Sequence, residues 1–354
     1  MRQLLALPLV ALLSLAACAE PPPPVVPQAP APALPPLPPP SPPPTNTAPA
    51  PPPVEKPALP PEYADVVIRV EKVAGTVYML EGKGGNIGVS VGDDGVVLVD
   101  DQFAPLAPKI QEALKGITDK PVRVLLNTHW HGDHTGGNAA IGAGGATIVA
   151  HDNVRARMAA GAPGIEFGGK LQPATPPAPK EALPIITFHD KVSVHLNGEE
   201  IRAIHLESGH TDGDAVIYFT KSGVVHMGDD FVTYGWPFVD VSSGGSVRGL
   251  IAALDKIAAD LPADTKVIPG HGKLSSIDDM KKIAAKLHDA WNLVEAQVKK
   301  KKTLDQVKEQ KPLAKYEEMT KGFISADAFV TTIFNEITAD ASKKPAAKAA
   351  PKKK

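Results

Sequence analysis

The sequence contains a single cysteine, Cys18, among its 354 residues. Without a second thiol the chain cannot form an internal disulfide, and the region beyond Cys18 has no thiolate to offer a metal. The apolar stretch at residues 4–15 is too short to span a bilayer. Motifs for metal-independent phosphate or redox chemistry are also absent. These absences exclude a disulfide-stabilised scaffold and a cysteine-ligated metal site.

Strong positive charge is lacking too. The formal net charge is −2, and six lysines are concentrated in residues 342–354. Residues 1–341 therefore hold 31 Lys and Arg against 39 Asp and Glu, a net charge of −8. We expect no nucleic-acid binding from this balance, and the sequence indicates no particular protein partner. The lysine-rich end, residues 339–354, is predicted to be a disordered basic tail that is solvated or contacts anionic envelope polymers.

The N-terminal residues have the pattern of an export signal. Arg2 precedes the apolar residues 4–15, and Leu15-Ala16-Ala17-Cys18 is typical of a bacterial lipoprotein processing site. We therefore predict a signal peptide at residues 1–17 and a lipid on the sulfur of Cys18. Ala19 follows rather than Asp, which favours a periplasmic position anchored to the outer membrane. The alternative is an ordinary signal peptide in which Cys18 has no role.

Proline dominates the next segment, since residues 21–61 hold 22 of the 38 prolines. Such a stretch cannot form a packed core, because proline removes backbone donors and little apolar surface is available to bury. We predict that residues 18–61 are an extended tether of polyproline II character, on the order of 100 Å long at about 3.1 Å per residue. A proline-rich ligand for a recognition domain is the alternative.

Residues 62–338 are expected to form one α/β domain. Strand patterns occur at residues 66–70, 77–80, 87–91, 96–100, 122–126, 146–150 and 189–206. Helical spacing of apolar residues occurs at residues 109–114, 250–257, 280–298 and 316–337. The last helices are expected to pack on the outside of the domain.

Four metal-binding side chains follow the predicted strand at residues 122–126. His129 and His131 are two residues apart and share a face, while Gly132 allows Asp133 and His134 to turn toward an adjacent point. A lone histidine at a strand end is usually a polar turn residue. Three histidines and an aspartate at this spacing instead predict zinc or a similar first-row metal, in two neighbouring sites.

Three distant residues are candidates to complete these sites. His210, Asp229 and His271 each come after an apolar run and lie beside a glycine. This arrangement projects side chains from one edge of a sheet into a shared cleft.

Taken together, the motifs resemble those of the metallo-β-lactamase-fold hydrolases in type, order and spacing, over roughly residues 64–338. The resemblance implies an α/β fold of the four-layer αβ/βα sandwich type, with two Zn²⁺ ions at the shared edge of two sheets. The implied ligands are His129, His131 and His210 for one ion, Asp133, His134 and His271 for the other, and Asp229 as the bridge. Residues 210–214 and 237–246 look like those of a periplasmic β-lactamase-like or cyclase-like branch.

The chemistry expected of two adjacent zinc ions is hydrolysis, in which a metal-bound hydroxide attacks a carbonyl carbon. Asp133 would orient the nucleophile and accept its proton, so it is the candidate catalytic residue. The substrate is then a small molecule with an amide, lactone, ester or thioester bond. A non-catalytic metal-binding envelope module is the alternative from another class, and the complete ligand set disfavours it.

β-Lactam hydrolysis is a further alternative. True β-lactamases with this ligand order usually carry Cys or Ser at the position of Asp229, and the subclass with Cys places Lys three residues later. Here that later position is Val232. An aspartate bridge looks more like the glyoxalase II, lactonase and general hydrolase branches.

Several aspartates are candidates to orient the ligand histidines through their outer nitrogens. These are Asp100 or Asp101 at a strand end, and Asp212. The alternative for each is a turn-forming aspartate. His151 is expected to make a turn hydrogen bond, and His226 is not assigned a role.

The substrate-facing surface is less defined by sequence. Trp130 is expected to point away from the ligands beside it, while Trp236, Pro237 and Phe238 are predicted to form an apolar wall. Residues 161–179, rich in Gly and Pro, are either a mobile flap or an ordinary surface loop. No Lys or Arg stands out as an anchor for an anionic substrate group.

Overall fold

The computed structural model describes residues 59–167 and 170–343. The predicted signal peptide, Cys18, residues 18–58 of the tether and residues 344–354 of the tail lie outside this part of the chain.

The strands of the described residues are, in chain order, β1 (Arg69–Ala74), β2 (Val77–Glu81), β3 (Ile87–Gly92), β4 (Gly95–Val99), β5 (Val122–Leu126), β6 (Thr147–His151), β7 (Ile165–Phe167), β8 (Lys170–Gln172), β9 (Ile186–Phe188), β10 (Lys191–Leu196), β11 (Glu199–His205), β12 (Ala215–Phe219), β13 (Val224–His226), β14 (Lys266–Ile268) and β15 (Ser275–Ser276). The α-helices are α1 (Pro61–Ala64), α2 (Ala107–Lys115), α3 (Gly132–Thr135), α4 (Asn138–Ala143), α5 (Asp152–Ala160), α6 (Val247–Asp260), α7 (Ile277–Lys299), α8 (Leu304–Glu309) and α9 (Ala326–Lys343). Short 3-10 turns occupy Ala104–Leu106, Lys180–Ala182, Gly228–Asp230, Val241–Ser243 and Ala314–Lys321.

The strands form two main sheets and one small hairpin. The first sheet has the order β1-β2-β3-β4-β5-β6-β9, and the second has the order β10-β11-β12-β13-β14-β15. Strands β4, β5, β6 and β9 run parallel, as do β13 and β14. Neighbouring parallel strands end at the same edge of a sheet, so the loops after them are brought side by side.

Side-chain alternation along the strands builds three apolar layers. In β4, Val97 and Val99 pack with Ile217 and Phe219 of the second sheet, whereas Leu98 packs under the helices on the other face. The outer face of the second sheet is covered by α6, α7 and α9 through residues such as Leu254. Both faces of each sheet are therefore buried. The predicted four-layer αβ/βα sandwich is confirmed.

Two strand predictions needed adjustment. Strand β1 begins at Arg69 rather than at residue 66, because pairing with β2 starts between Arg69 and Glu81. The carbonyl of Val66 instead accepts a hydrogen bond from Lys109 Nζ at 2.7 Å. The region at residues 189–206 is a hairpin, β10 and β11, whose turn at Asn197 and Gly198 has φ of 58° and 65°. Asn-Gly is the sequence that favours such a turn, since both positions need positive φ.

The C-terminal helices pack on the second sheet. Helix α9 buries Phe329, Val330 and Ile333 against α7 and α6, and it continues to Lys343, beyond the boundary predicted at residue 338. These helices thus form the outer layer, as expected, but they also close a large part of the core. Across residues 59–167 and 170–343, none of the helices combines the length and apolar character that crossing a membrane would require.

Hydrogen bonds tie the two sheets together at one edge. The Asn86 side chain donates to the carbonyls of Pro269 and Gly272, each at 2.9 Å. On the other side, the Ala215 amide donates to the Thr128 carbonyl at 2.8 Å. The loops after β5, β11, β13 and β14 are therefore held around one space.

Candidate metal centre

The centre begins where β5 ends, at a buried carboxylate that organises the next turn. Asp100, at the end of β4, accepts hydrogen bonds from the Thr128 amide at 2.8 Å and from the Thr128 hydroxyl at 2.7 Å. Its Oδ2 also accepts from His134 Nδ1 at 2.7 Å. Asp100 has a positive φ of 62°, a conformation that few non-glycine residues adopt. One side chain therefore connects the strand end to the short helix α3.

Three histidines form the first group, which we call the histidine triad: His129, His131 and His210. His131 Nε2 donates to Asp240 Oδ2 at 3.0 Å, and His210 Nδ1 donates to the Phe238 carbonyl at 2.8 Å. The inward nitrogens of these two rings, His131 Nδ1 and His210 Nε2, are then both unprotonated in the neutral tautomers, yet they lie 2.8 Å apart. Two facing lone pairs at that distance repel each other unless a proton or a metal ion lies between them.

His129 also donates from its outer ring nitrogen and has an unprotonated inward nitrogen. The Thr128 hydroxyl donates to Asp100, so its oxygen accepts from His129 Nδ1 at 3.1 Å. This leaves His129 Nε2 unprotonated, and it is a buried nitrogen without a hydrogen-bond partner. A buried acceptor without a partner is costly unless a bound group satisfies it.

The second group, which we call the acidic group, consists of Asp133, His134 and His271. His271 Nε2 lies 3.2 Å from Asp133 Oδ2 and 3.4 Å from His134 Nε2. Gly85 lies against the imidazole of His134, and a Cβ on Gly85 would overlap that ring. The second group therefore depends on a glycine as well as on its ligands.

Asp229 lies between the two groups. Its Oδ1 is 3.2 Å from His134 Nε2 and 3.4 Å from His271 Nε2, while its Oδ2 is 3.7 Å from His210 Nε2. Gly270 leaves room for this carboxylate, since a Cβ there would collide with Oδ1. Each carboxylate oxygen thus faces a different group. The structure brings all seven residues predicted as ligands into one cluster.

The pKa values differ between the two groups. Burial lowers the pKa of His129 well below its usual value and lowers that of His210 to about 4. Burial also opposes protonation of His134 and His271, but the Asp229 carboxylate and its acidic neighbours raise the pKa of His134 well above normal and that of His271 to about 9. For Asp133, burial is outweighed by the positive charge of His134 and by a hydrogen bond with His271, which lower its pKa to about 2.

The residues fit a divalent metal of the zinc type. The donors are imidazole nitrogens and carboxylate oxygens, the mixture that zinc and similar first-row metals accept. The histidine triad offers three inward lone pairs, and the carboxylates of the acidic group attract positive charge. Without a metal, that charge is balanced by protons on His134 and His271, so a bound cation would replace those protons.

The predictions for the orienting aspartates were partly wrong. Asp100 holds His134 as proposed, but Asp101 instead accepts from the Gly137 amide at 2.8 Å. Asp212 pairs with Arg157 Nη2 and Nε, at 2.6 and 2.7 Å, so its task is to fix α5 to the loop after β11. One residue missed by sequence analysis is Asp240, which holds His131. Asp230 was missed as well, and its Oδ1 accepts from the His210 amide at 3.0 Å.

The predicted apolar wall also needs correction. Trp236 is fully buried and stacks on Phe329 with ring centroids 4.8 Å apart, so it belongs to the core. Phe238 does reach the centre, with its ring 5.7 Å from that of His210. Tyr234, which was not predicted, lies 5.8 Å from the His271 ring. Trp130 points away from the ligands into a small core under α5, as expected.

The remaining histidine and loop predictions concern the rim of the centre. His151 caps α5 by accepting from the Asn153 amide at 3.3 Å, the turn hydrogen bond that was expected. His226 donates from Nε2 to the Asn86 carbonyl at 2.9 Å and lies outside the ligand groups. Residues 161–179 contain the β7–β8 hairpin, which is closed at its base by pairing of Ala162 with Thr175. Its role as a flap stays a prediction.

Comparisons with known proteins agree with this geometry. A family model described as the metallo-beta-lactamase superfamily matches residues 80–271. The chain is similar to a hydroxyacylglutathione hydrolase of Polaromonas sp., with 32% identity over 153 residues, covering 42% of this chain and 47% of that protein. It is also similar to a metallo-beta-lactamase type 2 of Bacteroides fragilis, with 24% identity over 50% of this chain and 67% of the other.

The fold agrees as well. A metallo-beta-lactamase from Pontibacter korlensis superposes with a TM-score of 0.50 and 19% sequence identity, over 63% of this chain and 99% of that one. The present chain spans about half the length of the hydroxyacylglutathione hydrolase it matches, so that protein's substrate is not carried over by the match itself. The family model covers more than half of the 354 residues and includes all seven clustered residues. The chain belongs to the metallo-beta-lactamase superfamily.

Proposed function

We propose that the chain is a binuclear zinc hydrolase that cleaves a carbonyl-containing bond. The observation that carries the proposal is the placement of Asp229, whose two oxygens face the histidine triad and the acidic group separately. A carboxylate in that position can bridge two metal ions, whereas a mononuclear centre would have no use for both groups.

Seven residues would hold the two ions, as predicted from the sequence: His129, His131 and His210 on one side, Asp133, His134 and His271 on the other, and Asp229 between them. When bound, zinc lowers the pKa of water and polarises a carbonyl oxygen. Asp133 is a quarter exposed and its pKa is about 2, so it is anionic at neutral pH. As an anion at the open side of the centre, it could accept a hydrogen bond from the attacking water, orient it and pass on the proton that the water gives up. Asp100 and Asp240 would keep the rings of His134 and His131 oriented.

The bond is proposed to be an ester, thioester, lactone or amide. The relative from Polaromonas is named a hydroxyacylglutathione hydrolase, which supports a thioester or ester. The relative from Bacteroides fragilis is named a metallo-beta-lactamase, so β-lactam substrates belong in the test. Val232, at the position where such lactamases carry lysine, is buried and its backbone pairs with that of His271. This position offers no cation for a substrate carboxylate, which disfavours β-lactams.

The decisive experiment combines metal analysis with a substrate panel. The full-length chain would be loaded with zinc and assayed against a carbapenem, a cephalosporin, an acyl lactone and a glutathione thioester, with and without chelator. We expect two zinc ions per chain and chelator-sensitive hydrolysis of the lactone or thioester. One ion per chain, or activity that survives complete chelation, contradicts the proposal.

The role of Asp133 has its own test. Asp133→Asn is expected to lower kcat by about 10²- to 10⁴-fold, the range typical of a lost proton acceptor. Asp119→Asn is the matched control, because Asp119 is exposed and precedes β5 at the far end from the centre. An unchanged kcat in Asp133→Asn would remove the residue from the mechanism.

We also propose that the chain is exported and anchored to the outer membrane through a lipid on Cys18. The support is the sequence pattern alone, Arg2 followed by residues 4–15 and Leu15-Ala16-Ala17-Cys18. Cys18→Ser should move the protein from the membrane fraction to the soluble fraction of bacterial cells. Equal membrane association of both forms would contradict lipidation at this residue.

A further inference from the structure

An aromatic side chain from the C-terminal part of the domain stands exposed beside the metal centre. Phe323, in the loop between the Ala314–Lys321 turn and α9, is 65% exposed. Its ring centroid lies 5.3 Å from that of Tyr234 and 6.2 Å from that of Phe238. An exposed phenylalanine does not contribute the free energy that its burial would supply. An exposed ring that contacts two other aromatic rings therefore indicates a binding surface.

The three rings form a continuous path from solvent to the candidate ligands. Tyr234 contacts the His271 ring, and Phe238 contacts the rings of both His210 and His131, at 5.7 and 6.1 Å. Phe323 joins them at the outer end. We call Tyr234, Phe238 and Phe323 the aromatic rim. The rim thus borders the acidic group and the histidine triad at once.

The position of Phe323 is fixed by packing of the backbone around it. The Trp236 amide donates to the Met319 carbonyl at 3.0 Å, and Met319 is buried. Gly235 and Gly322 allow the two segments to meet: a Cβ on Gly322 would lie 2.7 Å from the Tyr234 ring, and one on Gly235 would lie 2.5 Å from the Met319 carbonyl. Such close approach between residues more than eighty apart holds the exposed ring in place rather than leaving it on a loose loop.

The charged side chains of the centre are already paired with one another. Among the described residues, the carboxylates of Asp133 and Asp229 form ion pairs only with histidines. Arg157, near the Asp240 side of the centre, is neutralised by two contacts with Asp212. An apolar group can stack on the three rings without needing a charged partner.

We propose that the aromatic rim is a substrate subsite for an apolar, preferentially aromatic, group attached close to the bond that is cleaved. The inference rests on the proposed hydrolase function and narrows its substrate class. Phe323 lies outside residues 80–271, the part matched by the family model, so the preference comes from this chain's C-terminal region. In the complex the exposed ring of Phe323 is covered by the ligand, which supplies the gain in affinity.

The test separates binding from catalysis. Dissociation constants of the uncharged pair 4-phenylbutanamide and butanamide would be measured by NMR titration on the full-length, zinc-treated chain. In parallel, kcat/KM would be measured for the 4-nitrophenyl esters of phenylacetate and acetate. Because aromatic contacts change affinity by about 3- to 10-fold, we expect the phenyl member of each pair to be preferred by at least that factor. Phe323→Ala should reduce both preferences toward one, and Phe323→Leu should retain part of them.

Ile185→Ala is the matched control, because Ile185 is an exposed apolar side chain at the start of β9, and it should leave both preferences unchanged. Equal binding of the two amides, or a preference that persists in Phe323→Ala, overturns the subsite even if both esters are hydrolysed. A dimer that Phe323→Ala dissociates would also overturn it, because the ring would then be covered by a second copy. Absence of metal-dependent ester hydrolysis would refute the proposed function, while the amide titration would still decide whether the subsite exists.

Discussion

The histidine triad and the acidic group differ in the pKa values of their buried histidines. In the triad, burial keeps the pKa of His129 and His210 low, and each outer nitrogen donates to an oxygen of the surrounding protein. In the acidic group, carboxylates raise the pKa of His134 and His271, so protons balance the charge. The triad is therefore ready to bind a cation, whereas the acidic group must first release protons. One half of the centre is preorganised and the other is responsive to pH.

The largest effect is expected from removing the residue that both halves share. Asp229→Ala deletes the carboxylate between them and leaves the facing histidines without a common partner. We expect hydrolysis to fall to background and zinc content to fall from two ions to one or fewer, measured by mass spectrometry of the native protein and by assay. Two tightly held ions in Asp229→Ala would contradict a bridging role.

Removing one ligand from each half should sharpen the contrast. His271→Ala is expected to retain about one ion per chain, held by the triad, because the low pKa values of His129 and His210 keep these two rings unprotonated. His210→Ala should lose the more tightly bound ion, which is read from competition with a chelator of known affinity. If the two variants lose ions of equal affinity, the halves are equivalent and the comparison fails.

Orientation of the triad should depend on Asp240 and not on Asp212. Asp240→Ala removes the acceptor of His131 Nε2 and should weaken zinc binding by about 10- to 100-fold. Asp212→Ala breaks only the partly buried ion pair with Arg157 and should leave zinc affinity unchanged. The same titration on both variants provides the control, and equal losses would mean that Asp240 acts only through general stability.

The smallest expected effect is the pH dependence of zinc binding to the acidic group. With its pKa raised to about 9 in the metal-free chain, His271 is protonated at pH 7. Zinc binding to the acidic group must displace this proton, so its affinity should rise with pH and level off above about 9. By the same linkage, the raised pKa of His271 stabilises the metal-free fold below about pH 6.5, and this contribution is lost as the pH rises through about 9. Histidine NMR titration with chelator checks the pKa, and a normal value near 6.5 would remove the difference between the halves.

The clustering of the seven candidate ligands was predictable because residue type and neighbouring residues are properties of short segments. His129, His131, Asp133 and His134 lie within six residues after an apolar strand, and the remaining three each follow an apolar run beside a glycine. The element order was predictable for the same reason, since alternation and helical spacing are local properties. The start of β1 was predicted three residues too early, because it depends on which residues of β2 are available as partners.

The surroundings of the ligands were not predictable in this way. Asp240 lies 109 residues from His131, and nothing in its own segment distinguishes it from Asp212. Trp236 and Phe238 are two residues apart in an irregular loop, so no periodicity indicates that one is buried against Phe329 and the other borders the centre. The position of Phe323 likewise depends on contacts between two segments more than eighty residues apart, such as the hydrogen bond from the Trp236 amide to the Met319 carbonyl.

The amino-acid sequence by itself determined the family, the layered α/β fold and the set of seven candidate metal ligands, because these depend on residue type and on periodicity within short segments. Only the tertiary structure decided which carboxylates orient the histidines, how the centre divides into a neutral and an acidic half, and which aromatic rings border it. Those properties arise from burial and from contacts between distant segments. Neither burial nor these contacts can be read from a short segment, because both exist only in the folded chain.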